Sequence, residues 1–370
     1  MSAFARLALL GAMLGLCAAP ALSQQSFEVE TVTHGLEHPW SLAFLPDGRF
    51  LVTERPGRLR LISPEGDLEP EPLAGLPDDI HAEAQAGLKD VVLAADFEQS
   101  GELFLSYACG SAAANTTCLA RARLADSGLE DLEIIFRADP TREGSVHYGG
   151  RILVLPDATL LLTLGDGFSY REQAQNRGNH IGKVVRLNPD GSVPADNPFV
   201  ADPGTRDEIF TLGHRNPQGI VHDPVNDRII AHEHGPRGGD ELNILRAGNN
   251  HGWPLITTGL DYTGARITPF TDLPNLTRPI LTWTPALAPS GMTLYDGFLF
   301  PEWEGDLFIG GLAGQSVRRV RLDGEQVVTE ETLLDDLGMR FRDVRTGPDG
   351  AIYLLADRED GSLLRLVPAR

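Results

Sequence analysis

The sequence predicts an all-β protein, a six-bladed β-propeller with four-stranded antiparallel blades, and three observations carry the prediction. A unit of apolar strand, tight turn and second apolar strand occurs six times, further strand-like runs follow most copies, and the copies start at unequal intervals. Those intervals, roughly 46 to 78 residues, suit blades with insertions of different length better than the fixed step of a solenoid. Strand and turn patterns alone also permit a β-sandwich or a pair of β-domains. An uninterrupted stretch of roughly 350 residues is long for a sandwich and ordinary for a closed ring.

In chain order the units read LAFLPDGRFLVTE from Leu42, VVLAADFEQSGELFLSY from Val91, ILVLPDATLLLTLGD from Ile152, IVHDPVNDRIIAHE from Ile220, FLFPEWEGDLFIGG from Phe298 and VRTGPDGAIYLLAD from Val344. Their turns are built from Pro, Asp, Asn and Gly, which pre-set or tolerate hairpin backbone angles. Outer-strand runs follow at Leu59 to Ile62, Cys118 to Leu124, Lys183 to Leu187, Val317 to Leu322 and Leu363 to Val367.

Ahead of the first unit, residues 1–23 read as a secretory signal peptide: Arg6 gives a positive start, Leu7 to Ala19 an apolar stretch, and Ala21-Leu22-Ser23 a small-residue cleavage site. Residues 24–370 then form one propeller domain. No later stretch offers the about 20 apolar residues a membrane span needs, so a soluble exported protein, periplasmic or secreted, is expected. Cys109 and Cys118 flank a Gly, Ser, Ala and Asn hairpin tip and are expected to form a disulfide in an oxidising compartment, with two free thiols as the alternative. The formal charge of −21 excludes a basic stripe for a nucleic-acid backbone, and clustered arginines stand out against it.

Polar runs precede the first strands: Ala84-Gln85-Ala86-Gly87-Leu88, His147-Tyr148-Gly149-Gly150-Arg151, the heptad from Gly213 to Gly219, and Arg340-Phe341-Arg342-Asp343. Asp166 and Glu233-His234-Gly235-Pro236 follow second strands. In a propeller all these loops emerge on one face around the central channel, gathering histidine, carboxylates, amides and arginines into one site.

The strings GHRNPQG (213–219), EHGPRGGDELN (233–243), NNHGWP (249–254) and RFRDVRTGPDG (340–350), in this order, resemble the soluble quinoprotein sugar dehydrogenases of the glucose/sorbosone dehydrogenase family, which use pyrroloquinoline quinone (PQQ). The similarity runs through most of the mature chain and implies a six-bladed propeller that oxidises aldoses at the anomeric carbon to lactones. It implies His147 as general base, a role suited to an imidazole whose ordinary pKa is near working pH, with Asp166 accepting its hydrogen bond. The three carboxylates of PQQ call for arginine forks, and Arg215, Arg340 and Arg342 match the cofactor arginines, with Asn216 beside Arg215. Exposed charges on alternate residues of one strand face are the alternative reading of Arg340 and Arg342. Tyr262 is a weaker cofactor candidate.

The resemblance also implies Ca2+, with the carbonyls of Gly235 and Pro236 facing the ion, and a second calcium position at Glu241 and the carbonyl of His251. Zinc at His232 and His234 lacks a third ligand. Gln85 matches a substrate-contacting glutamine. Where glucose-oxidising relatives place a lysine, this chain reads Leu312-Ala313-Gly314-Gln315, so backbone or Gln315 contacts to the cofactor are expected and a broad aldose range rather than strict glucose specificity. Thr284 stands where the glucose enzymes have tryptophan, and Trp283 need not point inward. Electrons go to an external acceptor, since the chain has no Cys-x-x-Cys-His haem motif. The competing readings are a calcium-dependent lactonase or esterase, which needs carboxylates converging on a channel metal, and a non-catalytic sugar-binding propeller, which has no need of the His147 and Asp166 pair.

Overall fold

Six short antiparallel sheets stand in a ring, five of them each formed by a stretch of chain that folds back on itself before the next begins. The computed structural model describes residues 26–369, so the expected leader over 1–23 lies outside the described residues. After β1 (Phe27–Leu36), blade one holds β2 (Pro39–Phe44), β3 (Phe50–Glu54) and β4 (Arg58–Ile62). Blade two holds β5 (Leu88–Leu93), β6 (Glu102–Ser111), β7 (Ala114–Ala125) and β8 (Gly128–Arg137), and blade three β9 (Gly149–Val154), β10 (Leu160–Leu164), β11 (Lys183–Leu187) and β12 (Ile209–Leu212). Blade four holds β13 (Pro217–Asp223), β14 (Arg228–Glu233), β15 (Asp240–Leu245) and β16 (Leu281–Trp283), and blade five β17 (Pro289–Leu294), β18 (Leu307–Gly311), β19 (Val317–Asp323) and β20 (Gln326–Leu333). Blade six is completed by both ends of the chain: β21 (Phe341–Thr346), β22 (Ile352–Ala356), β23 (Gly361–Pro368) and then β1, which pairs antiparallel to β23 from Phe27 opposite Pro368 to Leu36 opposite Gly361. The ladder of blade one has three strands, and isolated bridges Leu59–Leu73 and Ile62–Leu68 mark its fourth position.

The propeller expectation is met, and the second strands show why the sequence gives it. Every residue of β3, β10, β18 and β22 is buried, because each strand is covered on both faces by neighbouring blades, which calls for the short continuous apolar runs seen in the units. Apolar clusters such as Leu51, Leu59, Leu103, Leu105 and Tyr107 fill the space between consecutive blades. Cys109 and Cys118 are joined across the β6–β7 hairpin with Cα atoms 5.8 Å apart, as expected.

One unit start needs correction. The fifth unit's first strand is β17, Pro289–Leu294, not the run from Phe298, which is 69% exposed in the connection to β18. The true strand reads Pro-Ser-Gly-Met-Thr-Leu and has weak strand propensity, so neighbouring inner strands rather than propensity hold it. Its Gly291 is needed there: a Cβ would stand 2.1 Å from Asp343 Oδ1 of blade six.

The innermost strands β2, β5, β9, β13, β17 and β21 touch in cyclic order around the channel. In all six blades the pairing of first and second strands slips near the start of the first, between Pro39/Ser41, Leu88/Val91, Gly149/Ile152, Pro217/Gly219, Pro289/Met292 and Phe341/Asp343. Such bulges re-aim side chains, and here they lie at the end of the strand next to the polar loops. One step further along, Asp90, Arg151, Asp343 and Arg345 meet in the channel, Arg151 Nη1 3.0 Å from Asp343 and 3.5 Å from Asp90, and Arg345 3.0 Å from Asp90 and 2.9 Å from Asp343. These two acids and two arginines neutralise one another, so they leave the charge of the loop end to other residues.

Candidate active site

His147 closes the loop entering β9, and Asp166 leaves β10 on the same end of blade three. The His147 backbone is left-handed at φ 54°, a costly conformation for a non-glycine residue. Contacts on both sides hold it: its N–H donates to Gln85 Oε1 at 3.0 Å, and its carbonyl accepts from Arg142 Nη2 at 3.0 Å. Gly165 makes room for this loop, since a Cβ there would lie 2.1 Å from the His147 carbonyl oxygen.

The imidazole Nδ1 is 2.7 Å from Asp166 Oδ1. Asp166 is saturated with donors, accepting also from the Phe168 N–H at 2.8 Å and from Trp253 Nε1 at 2.8 Å. A carboxylate so placed can only accept, which puts the ring proton on Nδ1 and leaves the Nε2 lone pair free. Burial pushes the His147 pKa down, with Arg215 and Arg142 adding to it, and the Asp166 hydrogen bond opposes them without reversing the shift. For Asp166, burial works upward but the His147 hydrogen bond and the His147 and Arg215 charges outweigh it, so the carboxyl is held below its ordinary value. The pair is therefore a neutral imidazole oriented by a carboxylate, the arrangement a general base needs.

Next to the pair lies a cavity of about 360 Å³ on the loop face, within the small-molecule range of roughly 300–1,000 Å³, lined by residues of all six blades. Arg340 and Arg342 are in its wall, as the resemblance implies, with Asn216 and Tyr262. Arg342 donates to Asp357 at 2.8 Å and to Ser290 Oγ at 3.3 Å, and Arg340 reaches Asp357 at 3.5 Å and the Leu312 carbonyl at 3.2 Å. Burial works to raise the Asp357 pKa, but Arg342, the His38 hydrogen bond and Arg340 overcome it and hold it well below the carboxylate range. Gln218 and His234, from the polar runs, also line the cavity, as do Arg55, Lys89, Trp40 and His38, which were not anticipated. Trp40, Lys89, Gln218 and Arg342 are all bulge residues, and a charged or bulky residue one or two positions into an otherwise apolar first strand is the signal that marks them.

Arg215 is buried beside the cavity, its backbone N–H on Glu233 Oε2 at 2.5 Å and its Nη1 donating to the carbonyls of His234 and Gly235 at 3.0 and 2.6 Å. Its Nη2 lies 3.4 Å from the Tyr262 hydroxyl, and Phe168 stands between Tyr262 and His147, with ring centroids 6.0 and 5.3 Å away. Asn216 Oδ1 accepts from the Gly149 N–H at 3.1 Å, tying the arginine loop to the histidine loop.

The metal expectations meet a mixed donor set. Among the described residues no group of three or more His, Cys, Asp or Glu side chains could hold a metal ion, so an ion at Gly235 and Pro236 rests on backbone oxygens. The Gly235 oxygen already accepts from Arg215. The second position is chemically apt: Glu233 and Glu241 are opposite each other in the β14–β15 ladder and share Asn243 Nδ2 at 3.4 and 3.3 Å. Burial first, then their mutual repulsion in the case of Glu241, pushes both carboxyls up. The His251 ring stacks on His214 at 4.7 Å, close to the same pair. His232 is buried away from the cavity, and a Cβ on Gly219 would lie 2.2 Å from its Nε2.

Gln85 is exposed at the rim, its side-chain oxygen on His147 and its carbonyl accepting from Lys89 Nζ at 2.8 Å. In blade five the N–H groups of Ala313 and Gly314 both donate to the Leu287 carbonyl, at 3.1 and 3.0 Å. Ala313, Gly314 and Gln315 are exposed, and Leu312 is the residue of this loop in the cavity wall. Trp283 is buried between blades with its Nε1 on Glu330 at 2.8 Å, so it does not face the site.

A histidine–carboxylate pair beside a cation-rich cavity at the loop face of a six-bladed propeller has the features of a small-molecule site. The family model described as Glucose / Sorbosone dehydrogenase matches residues 36–365, and the chain belongs to that family. An aldose sugar dehydrogenase of Escherichia coli (strain K12) is 41% identical over 359 residues, covering 95% of each chain. A solved glucose dehydrogenase superposes with TM-score 0.89 at 45% identity, covering 93% of this chain and all of the other. The PQQ-bound form of an aldose sugar dehydrogenase from Streptomyces coelicolor superposes with TM-score 0.76 at 25% identity, covering 93% and 98%.

Proposed function

We propose that this chain is an exported, PQQ-dependent aldose sugar dehydrogenase, with residues 24–370 as its single domain, that oxidises the anomeric carbon of aldoses to the lactone and passes the electrons to an external acceptor. The observation that carries the reading is the His147–Asp166 pair, 2.7 Å apart, beside a cavity walled by arginines. PQQ, when bound, supplies the two-electron acceptor for the hydride leaving the anomeric carbon. Arg340 and Arg342 bind its carboxylates, with Asn216 and Arg215 alongside. The residues present suit the group: Arg55, Arg340 and Arg342 face one cavity carboxylate, Asp357, an excess of positive charge that a polycarboxylate offsets.

His147 Nε2 takes the proton of the anomeric hydroxyl as the hydride departs. Asp166 fixes the tautomer and stabilises the imidazolium, and Trp253 and the Phe168 N–H fix Asp166 in turn. Gln85, at the rim, offers its amide N–H groups to sugar hydroxyls while its oxygen holds the His147 backbone. The Gly235 and Pro236 carbonyls would hold Ca2+, where Arg215 would compete for the Gly235 oxygen, so an added anionic ligand would be needed to retain the ion. Glu241, with the carbonyl of His251, would hold a second, structural calcium, whose charge would relieve the Glu233–Glu241 repulsion.

The lactonase reading is disfavoured because the channel carboxylates Asp90 and Asp343 are ion-paired with Arg151 and Arg345 and so are not offered to a metal. The test is reconstitution of purified apoprotein with PQQ and calcium, followed by dye reduction with a panel of aldoses. Reduction that requires both quinone and sugar is expected; no turnover and no reduced-quinone absorbance would refute the reading.

A further inference from the structure

The chain contains two lysines, Lys89 and Lys183, against 29 arginines among its 31 basic residues, and both lysines are buried. Their surroundings differ in a way that separates a structural lysine from a binding one. Lys183 Nζ donates to three carbonyls, of Gln173, Ala174 and Ile181, at 3.1, 2.9 and 2.6 Å. All three ammonium donors are thereby used. Lys89 Nζ has one such bond, to the Gln85 carbonyl at 2.8 Å, and lies in the cavity wall.

We propose that Lys89 is an anion-binding residue of the cavity, holding a carboxylate of the bound quinone from blade two; this rests on the PQQ reading above. The position is built for the side chain. Lys89 occupies the bulge of β5, the place in its blade that Trp40, Gln218 and Arg342 occupy in theirs. Gly150, at φ +98°, makes room for the stem, since a Cβ there would lie 2.4 Å from Lys89 Cδ. The ammonium sits 5.4 and 5.0 Å from the ring centres of Trp40 and Tyr148, faces that favour a cation. No carboxylate pairs with it among the described residues: its neighbour Asp90 is taken by Ser41, Arg151, Arg345 and the Ile152 N–H. A buried cation without a partner is costly, and the cavity beside it is where an anionic group can arrive. The blade-five loop Leu312–Gln315 offers no cation, so Lys89 and the arginines carry that duty.

The charges facing Lys89 are Arg55 just after β3 in blade one, Arg142 in the β8–β9 connection, Arg151 of blade three and Arg342 of blade six. Burial, and then these four guanidinium groups, hold its pKa well below the ordinary lysine value. A carboxylate entering the site reverses the balance, so quinone binding at Lys89 is accompanied by proton uptake.

The test is calorimetric titration of the apoprotein with PQQ in buffers of different ionisation enthalpy, for the parent, Lys89→Met and Lys89→Gln. Expected is at least tenfold weaker binding in both variants, with unchanged thermal transitions and with loss of the proton uptake seen in the parent. Equal affinity in folded variants overturns the role of Lys89 and leaves the PQQ reading standing; failure of the parent to bind PQQ overturns both. Reductive methylation of the parent gives a readout that needs no variant, because only two lysines report. Protection of Lys89 by PQQ, with Lys183 unchanged, supports the proposal; labelling of Lys89 unaltered by saturating PQQ overturns it.

Discussion

Replacing Asp166 by asparagine keeps the shape of the side chain and removes its charge, so it tests what the carboxylate does for His147. Three donors converge on Asp166: His147 Nδ1 at 2.7 Å and the Phe168 N–H at 2.8 Å on one oxygen, and Trp253 Nε1 at 2.8 Å on the other. Asparagine has one acceptor oxygen. With that oxygen toward His147, its amide opposes the indole N–H, a donor against a donor that costs about 1–3 kcal/mol. With the amide toward His147, Nδ1 must accept, the ring proton moves to Nε2, and the lone pair that acts as base is gone. Loss of a positioned base is worth roughly 10²–10⁴ in rate, and a 10³-fold loss equals about 4 kcal/mol of barrier.

The pH profile gives an independent readout. With His147 as the proposed neutral base, activity should fall as pH drops through its pKa. That pKa already lies below the ordinary value because burial, with Arg215 and Arg142, outweighs the Asp166 hydrogen bond. Removing the carboxylate removes the opposing contribution, so the acid limb of kcat/KM for residual activity moves to lower pH. The assay is PQQ-reconstituted dye reduction with aldose over a pH series, beside a quinone titration that should be unchanged. Turnover within about threefold of the parent's, or an acid limb displaced upward, refutes the base-and-carboxylate reasoning.

His147→Ala should bind PQQ normally while losing at least about 10²-fold in turnover, measured by titration and single-turnover reduction; near-normal turnover removes His147 from the chemistry. The double change Arg340→Ala and Arg342→Ala should weaken reconstitution and reduce its salt sensitivity, and an unchanged quinone titration marks those arginines as surface charges. Calcium should bind the Gly235–Pro236 site measurably only with PQQ present, because Arg215 already holds the Gly235 oxygen; equal calorimetric affinity with and without quinone speaks against that. Cys109→Ser with Cys118→Ser should lower stability by about 2–3 kcal/mol, the loop-entropy value for so short a closed segment. Denaturant melts check it, and no change in midpoint counts against a stabilising bridge.

The parts of the site legible in the sequence are those carried by loops flanking strong apolar runs. His147, Asp166, Arg215 and Arg342 belong to polar strings that interrupt the strand pattern, and the propeller brings such loops to one face. Lys89 and Trp40 were not legible because they lie within first strands, where period-two alternation assigns a side chain to one blade face or the other, and Gln218 was legible only as part of the 213–219 string. A bulge breaks that period and turns the residue toward the axis, and its one local trace is a charged or bulky residue early in an otherwise apolar strand. The fifth unit was misplaced for a related reason: β17 is held by its neighbours, with Gly291 against Asp343 of blade six, rather than by its own propensity. Local sequence also does not reveal that the fourth strand of blade six comes from the other end of the chain.

That last pairing has a consequence for the site itself. β1 and β23 lie side by side in the sheet that begins with β21, the strand bearing Arg342. The ring is thus held shut by a seam between the two ends of the chain, and the seam runs through the blade that supplies Arg340 and Arg342. β1 and β23 thus belong to the same sheet as Arg342, whereas the histidine loop leads into a different sheet. Under the proposed function, readiness to take up the quinone should therefore report whether the circle is closed.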